Sequence, residues 1–227
     1  MFLSAKDMLT LLFEPTTFFR TRMARKVSWP LMIGIPAACV VLNFIGTAIF
    51  AVKEFRGMAG IFTVSQMPSI GPRGAVGLAA MSSLFYPVVI AGIFVATICL
   101  DVLVGAGRSF SLPKLLELYC LAWVSQVPYF LLRVILAVTF VPPQLLPLRL
   151  PFQQWVMDAL VSYNDALAHN VAILLAKNLG YASYAWLIVV TMCAYYAIAR
   201  STVVRSGFIG SVLYILFFVI GQHTFSQ

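Results

Sequence analysis

The chain has 227 residues, of which 62% are hydrophobic, 14% aromatic and 10% charged, with a formal net charge of +8 and a mean hydropathy of +0.97. Soluble domains carry roughly 45–50% apolar and 25% charged residues, so this composition excludes a water-soluble enzyme core, and it excludes intrinsic disorder, which needs few hydrophobic residues. Fifteen Lys and Arg scattered between apolar runs make no basic stripe for a phosphate backbone, which argues against nucleic acid as a partner.

Residues 1–29 read as a basic, amphipathic, interfacial segment. Met8, Leu11, Leu12, Pro15, Phe18 and Phe19 recur at helical spacing, with Ser4 and Asp7 set as an S-x-x-D capping box. Pro15 predicts a break into two helical pieces. The apolar stripe beside Lys6, Arg20, Arg22, Arg25 and Lys26 suits a helix in the headgroup plane. Arg20, Arg22, Arg25 and Lys26 are thus candidate contacts to anionic lipid headgroups, at about 1 kcal/mol each. Lys6 and Asp7 interrupt the opening, and no small-residue cleavage site follows an apolar core, so no cleaved signal peptide is expected.

Residues 30–227 read as a membrane domain. A bilayer core of about 30 Å needs about 20 apolar residues per helix, and five stretches qualify: about 31–52, 75–104, 118–140, 181–199 and 207–221. The second carries Pro87 and the third carries Pro128 and Arg133, either proline being able to kink its helix. The last two, separated only by Arg200 to Ser206, form an antiparallel hairpin. Between the third and fourth lies an amphipathic segment, about 152–179, after a turn rich in proline at Pro142, Pro143, Pro147 and Pro151. Its pattern predicts one helix over Trp155 to Lys177, lying on the bundle, with Gly180 as its C-cap. The expected fold class is therefore all-α: a polytopic membrane helical bundle of five transmembrane helices, with an N-terminal and a periplasmic-side amphipathic helix.

Short-loop charge sets the expected orientation. With the N-terminus inside, nine Lys and Arg fall on the cytoplasmic side and five on the other. The expectation is a multi-pass inner-membrane protein with its N-terminus cytoplasmic and its C-terminus outside.

Little in the sequence carries chemistry. His169 and His223 read as interface residues rather than metal ligands, the cysteines lie in apolar runs, and no P-loop, H-E-x-x-H or G-x-S-x-G occurs. The reading is a protein that is not an enzyme and needs no cofactor. Arg133 lies about 22 Å along its helix, near the outer surface where it can snorkel or pair with Asp158 or Asp165; the alternative is a place on an ion or substrate pathway. Asn43, Gln126 and Thr191 are expected at similar mid-membrane depths, as hydrogen-bonding glue between helices or along a conduction path. Asp101, Arg108, Lys114, Glu117, Arg200 and Arg205 are expected to converge on the inner face, mostly solvated, with Arg108, Lys114, Arg200 and Arg205 the candidate docking residues for a partner. Gly34 with Ala38, Gly92 with Ala96 and Gly207 with Ser211 give small faces for close packing, within the bundle or with a second copy.

Three places resemble the Yip (Ypt-interacting protein) family of five-span membrane proteins in its short bacterial form. Leu12-Phe13-Glu14-Pro15-Thr16-Thr17-Phe18-Phe19-Arg20 is similar to the family's P-x-x-F-F stretch before the first span. The segment Gly107 to Leu116 is similar to its glycine, serine and phenylalanine loop, with Pro128 at the family's intramembrane proline. Trp186 and the hairpin from Arg200 to Phe218 fit its last pair of spans. Eukaryotic relatives associate with small GTPases and vesicle trafficking, but the Asp-Leu-Tyr-Gly-Pro signature is missing here; some bacterial relatives are linked with ABC-type exporters. The resemblance implies a scaffold or accessory subunit of a membrane complex, such as an ABC exporter, partnered by anionic lipids and by another membrane protein or a second copy. The alternative is a small transporter or channel that moves a solute itself. A third reading, that the chain shapes or senses lipid, rests on its amphipathic segments.

Overall fold

A computed structural model describes residues 3–57, 72–103, 111–143, 152–199 and 202–225, and within these it is all-helical, without strands. In chain order the helices are α1 (Ala5–Phe13), α2 (Pro15–Met23), α3 (Trp29–Gly57), α4 (Pro72–Leu103), α5 (Leu112–Ala122), a 3-10 turn (Trp123–Gln126), α6 (Val127–Thr139), α7 (Phe152–Ala168), α8 (Val171–Ala199) and α9 (Val203–Phe225). Three stretches, Trp29–Gly57, Leu112–Thr139 and Val171–Ala199, are long and apolar enough to cross a bilayer. Helices α4 and α9 are also long, at 32 and 23 residues. The first, second, fourth and fifth apolar runs each fall largely within one helix, while the third runs over α5, the 3-10 turn and α6. The chain divides into two compact units, one of Met1–Val40, Phe85–Pro128 and Tyr181–Gln227, the other of Val41–Leu84 and Tyr129–Gly180.

In the first unit the N-terminal break falls where proline dictates, with α1 ending at Phe13 and Pro15 opening α2. The capping box is complete: Asp7 N–H donates to Ser4 Oγ at 3.1 Å, and the Asp7 carboxylate accepts from Ser4 N–H at 3.2 Å and Ser4 Oγ–H at 2.9 Å. These bonds to Ser4 hold the Asp7 carboxyl below its ordinary value of 3.8. Because the folded value is depressed, the cap stabilises α1 above the ordinary carboxylate range and that contribution disappears as pH falls through the lowered value. Protection factors at residues 5–8, corrected for the intrinsic pH dependence of amide exchange, are therefore expected to fall in acid, and Ser4→Ala to remove that pH dependence together with about 1 kcal/mol of local helix stability. Protection that ignores both pH and the substitution would refute this account.

Leu11, Phe18 and Phe19 are buried, and α1 packs against the 3-10 turn beneath it. The N-terminal pair is thus docked on protein through its apolar stripe, leaving Met8, Leu9 and Phe13 exposed. The 3-10 turn has a local cause. Pro128 has no N–H to give to Val124, four residues earlier, and the tightened turn lets Val127 N–H reach the Val124 carbonyl instead. Helices α8 and α9 form the expected hairpin, so close that a Cβ on Gly210 would meet Met192 Cγ at 2.6 Å.

In the second unit Phe50, Ala137, Phe140 and Ala176 form a core flanked by Ile49, Leu136, Leu167, Ala172 and Ile173. The Phe50 and Phe140 rings lie 5.3 Å apart. Lys53 Nζ donates to the Val138 and Phe140 carbonyls, placing a cation at the C-terminal end of α6 where orphan carbonyls and the helix dipole favour it. Tyr163 of α7 donates its hydroxyl to the Glu54 carbonyl at 3.0 Å.

One predicted boundary is corrected here. The segment 152–179 is not one helix stopped by Gly180. It breaks at His169–Asn170, where Asn170 Oδ1 accepts from Ala172 N–H at 3.0 Å and starts α8. Gly180 then lies inside α8, where a Cβ would come within 2.9 Å of the Tyr129 hydroxyl. Its lack of a side chain serves a close approach rather than a stop: the Tyr129 hydroxyl donates past it to the Ala176 carbonyl at 3.2 Å. A sign change is expected from this. Gly180→Ala should destabilise the wild type through the clash, yet in a Tyr129→Phe background, where the nearest ring atom is Cζ at 3.3 Å and a shift of a few tenths of an ångström relieves it, it should stabilise by up to about 0.5–1 kcal/mol, the ordinary helix gain of alanine over glycine. Thermal melts of the four proteins in detergent measure the cycle, and equal effects in both backgrounds would exclude the contact.

Candidate functional site

The most concentrated polar arrangement among the described residues lies where α2, its link to α3, and the start of α5 meet. Pro113 sits in the first turn of α5, Ser111 precedes it, and Lys114 and Glu117 follow one turn apart, so they share a face. Arg22 reaches the same point from α2. Its place in the sequence explains this: Pro15, Phe18, Phe19 and Arg22 recur at the helical 3 and 4 spacing, so Arg22 lies on the buried stripe while Arg20 lies opposite.

Glu117 is fully buried and accepts four hydrogen bonds. Arg22 gives two to Oε1, one from Nε at 3.0 Å and one from Nη2; Ser28 N–H adds a third at 3.2 Å; Lys114 Nζ donates to Oε2 at 2.7 Å. Lys114 Nζ also donates to the Arg25 carbonyl at 2.8 Å. The Arg22 and Lys114 side chains are 6% and 7% exposed. One anion thereby fastens three pieces of chain, and two cations surround it. Burial of this kind is costly, and the charge is compensated by two cations and by donors on both carboxylate oxygens, three on Oε1 and one on Oε2.

Two sequence expectations change as a result. Arg22, expected at lipid headgroups, is buried against Glu117, and Lys114, expected as a solvated docking charge, is buried in the same clamp. Arg20, Arg25 and Lys26 are exposed, and the Arg20 guanidinium sits 5.6 Å above the Tyr196 ring. Arg205 is half-buried. Arg108 and Arg200 lie outside the described residues, as does the Asp101 side chain.

A second polar group occupies the second unit. Arg133 Nη1 donates to Asn43 Oδ1 at 2.6 Å, Asn43 Nδ2 donates to Ser83 Oγ at 3.1 Å, and Ser83 Oγ donates to the Ala79 carbonyl at 2.8 Å. This relay ties α3, α4 and α6 together. Gly46 lets the Arg133 stem pass close, since a Cβ there would be 3.4 Å from Arg133 Cγ. The partner of Arg133 is thus an amide, whereas the expected Asp158 and Asp165 are exposed and Asp165 faces His169 instead.

Asn43, Gln126 and Thr191 do not act as one set. Gln126 Nε2 donates to the Ser183 carbonyl at 2.9 Å and Ser183 Oγ donates back to Gln126 Oε1 at 2.7 Å, joining the 3-10 turn to α8. Thr191 donates to the Leu187 carbonyl of its own helix at 2.8 Å. Among the small-residue faces, a Cβ on Gly34 or Gly207 would meet nothing within 4 Å among the described residues, so neither glycine serves a close approach there. Among the described residues no three His, Cys, Asp or Glu side chains gather as a metal site.

These elements define a class: a protein helical throughout its described residues, with three helices long and apolar enough to cross a membrane and an N-terminal helical pair fastened to one of them by buried charge. Comparison with family models, with curated proteins and with solved structures gives no match for the chain.

Proposed function

We propose that this chain is a five-span inner-membrane protein, N-terminus cytoplasmic and C-terminus outside, that serves as a scaffold or accessory subunit of a membrane complex in the manner of short bacterial Yip-type proteins. The observation that carries this reading is the clamp. Glu117 has its acceptor positions occupied by Arg22, Lys114 and Ser28, an arrangement suited to fastening an N-terminal platform and poorly suited to exchanging protons with a substrate. The platform keeps Arg20, Arg25 and Lys26 exposed, free to meet anionic lipid or an acidic partner.

Affinity purification in a mild detergent tests it: a scaffold brings a stoichiometric membrane-protein partner, an ABC-type exporter subunit being the partner class the resemblance implies. A reporter fused after Gln227 that proves cytoplasmic would overturn the orientation. One observation favours the alternative of a solute-moving protein, namely the Arg133–Asn43–Ser83 relay within the helices. If the purified chain alone moves solute in liposomes, and Arg133→Leu abolishes that flux without impairing assembly, the scaffold reading fails.

A further inference from the structure

The α8–α9 hairpin carries an apolar groove of about 830 Å³ in the first unit, lined also by Thr16 of α2. That volume falls within the range of about 300–1,000 Å³ typical of sites for small ligands. The groove runs along α8 from Tyr196 to Ala185 and along α9 from Val203 to Ile215. At about 1.5 Å per residue these stretches are roughly 16–18 Å long, close to half the hydrocarbon thickness of about 30 Å, so the groove has the length of one leaflet. Tyr196 and Val203 are the lining residues nearest in the chain to the connection between the two helices.

Charge marks that same end. Arg20 is exposed, stands one turn beyond Thr16 on α2, and holds its guanidinium over Tyr196, a lining residue of the groove. An exposed guanidinium held beside a lining residue by its stack on the ring keeps N–H donors in its own plane that can serve an anionic oxygen. The floor and the wall differ in kind. Gly210 is filled from behind by Met192, whereas Gly207 opens onto empty space.

We infer that this groove is a site for one anionic phospholipid, with an acyl chain lying between α8 and α9 and the phosphate held by Arg20. The inference requires only that these helices lie in lipid, and it does not depend on the scaffold reading.

Native mass spectrometry of the full chain, after exchange into detergent containing equal phosphatidylglycerol and phosphatidylcholine of matched chains, tests it. The wild type is expected to retain one phosphatidylglycerol in preference to phosphatidylcholine. Arg20→Gln should lower that preference about fivefold, the factor one basic residue supplies at an anionic surface. Gly207→Trp, which meets no atom of the chain at its Cβ, should abolish retention of both lipids with an unchanged melting temperature. If that variant is unstable, Ser211→Trp, at an exposed lining position, reads the same block. Unchanged phosphatidylglycerol retention in the blocked variant, or an unchanged preference in Arg20→Gln, would overturn the site. So would efficient crosslinking of Gly207→Cys chains to one another in the membrane, which would mean that a second copy fills the groove.

Discussion

Glu117→Ala is expected to destabilise the protein by about 3–5 kcal/mol, the largest effect of any single substitution considered, because it strands the buried Arg22 and Lys114 cations without their anion. The loss should be felt first at the N-terminal helices. Arg22 and the Arg25 carbonyl are the points where α2 is fastened to α5, so trypsin cleavage at the exposed Arg25 and Lys26 should accelerate together with the fall in melting temperature. Glu117→Gln keeps the shape and acceptor of the side chain and should fall between the wild type and alanine. The triple variant Arg22→Met, Lys114→Met, Glu117→Leu removes all three charges, and by the same reasoning should melt near the wild type or above it. An alanine variant with wild-type melting and wild-type cleavage would show that the clamp fastens nothing.

Trp123→Ala should cost about 3 kcal/mol. This is the lower end of the usual range for deleting a buried aromatic, because lipid around the unfolded helices already supplies part of the apolar contact that water would not. What remains is the cavity: Trp123 is 2% exposed within the 3-10 turn on which α1 rests, and its neighbours lose dispersion contacts they cannot regain by collapse. The Trp123 carbonyl also accepts the Cys39 thiol at 3.5 Å, so a shift of the turn would reach α3. Trp186, 38% exposed, is the control, and Trp186→Ala should change the melting temperature far less. Equal losses at the two positions would mean that burial of the turn contributes nothing special.

Were the scaffold reading correct, these two variants would have a further use. Both loosen the N-terminal pair while leaving the exposed Arg20, Arg25 and Lys26 chemically intact, so a partner that binds the fastened platform should be lost from both, whereas one that binds the long helices should persist.

Period and punctuation made the helices legible. Runs of about 20 apolar residues marked the long helices, Ser4 with Asp7 marked the start of α1, Pro15 its division from α2, and Pro128 the place where the backbone had to tighten. Each of these is a local rule, set by hydrogen-bonding groups within four residues of one another. Gly180 shows where local rules stop. A glycine after a periodic run reads as a helix end, yet here it admits Tyr129, some fifty residues away in the chain.

The charged clamp was not read from the sequence, although half of its signal was there. Arg22 shares the spacing of the buried Phe18 and Phe19, which the headgroup expectation overlooked; Lys114 and Glu117 lie a turn apart. What no spacing could say is that these two half-signals meet, since pairing across about a hundred residues depends on how helices dock. Composition and periodicity by themselves pointed to a helical chain with helices long and apolar enough to cross a membrane, because the cost of unpaired backbone in hydrocarbon leaves few other choices. Tertiary structure alone decided which of its few charges are sealed inside and which stay at the surface, because a buried ion survives only where another segment brings it a partner.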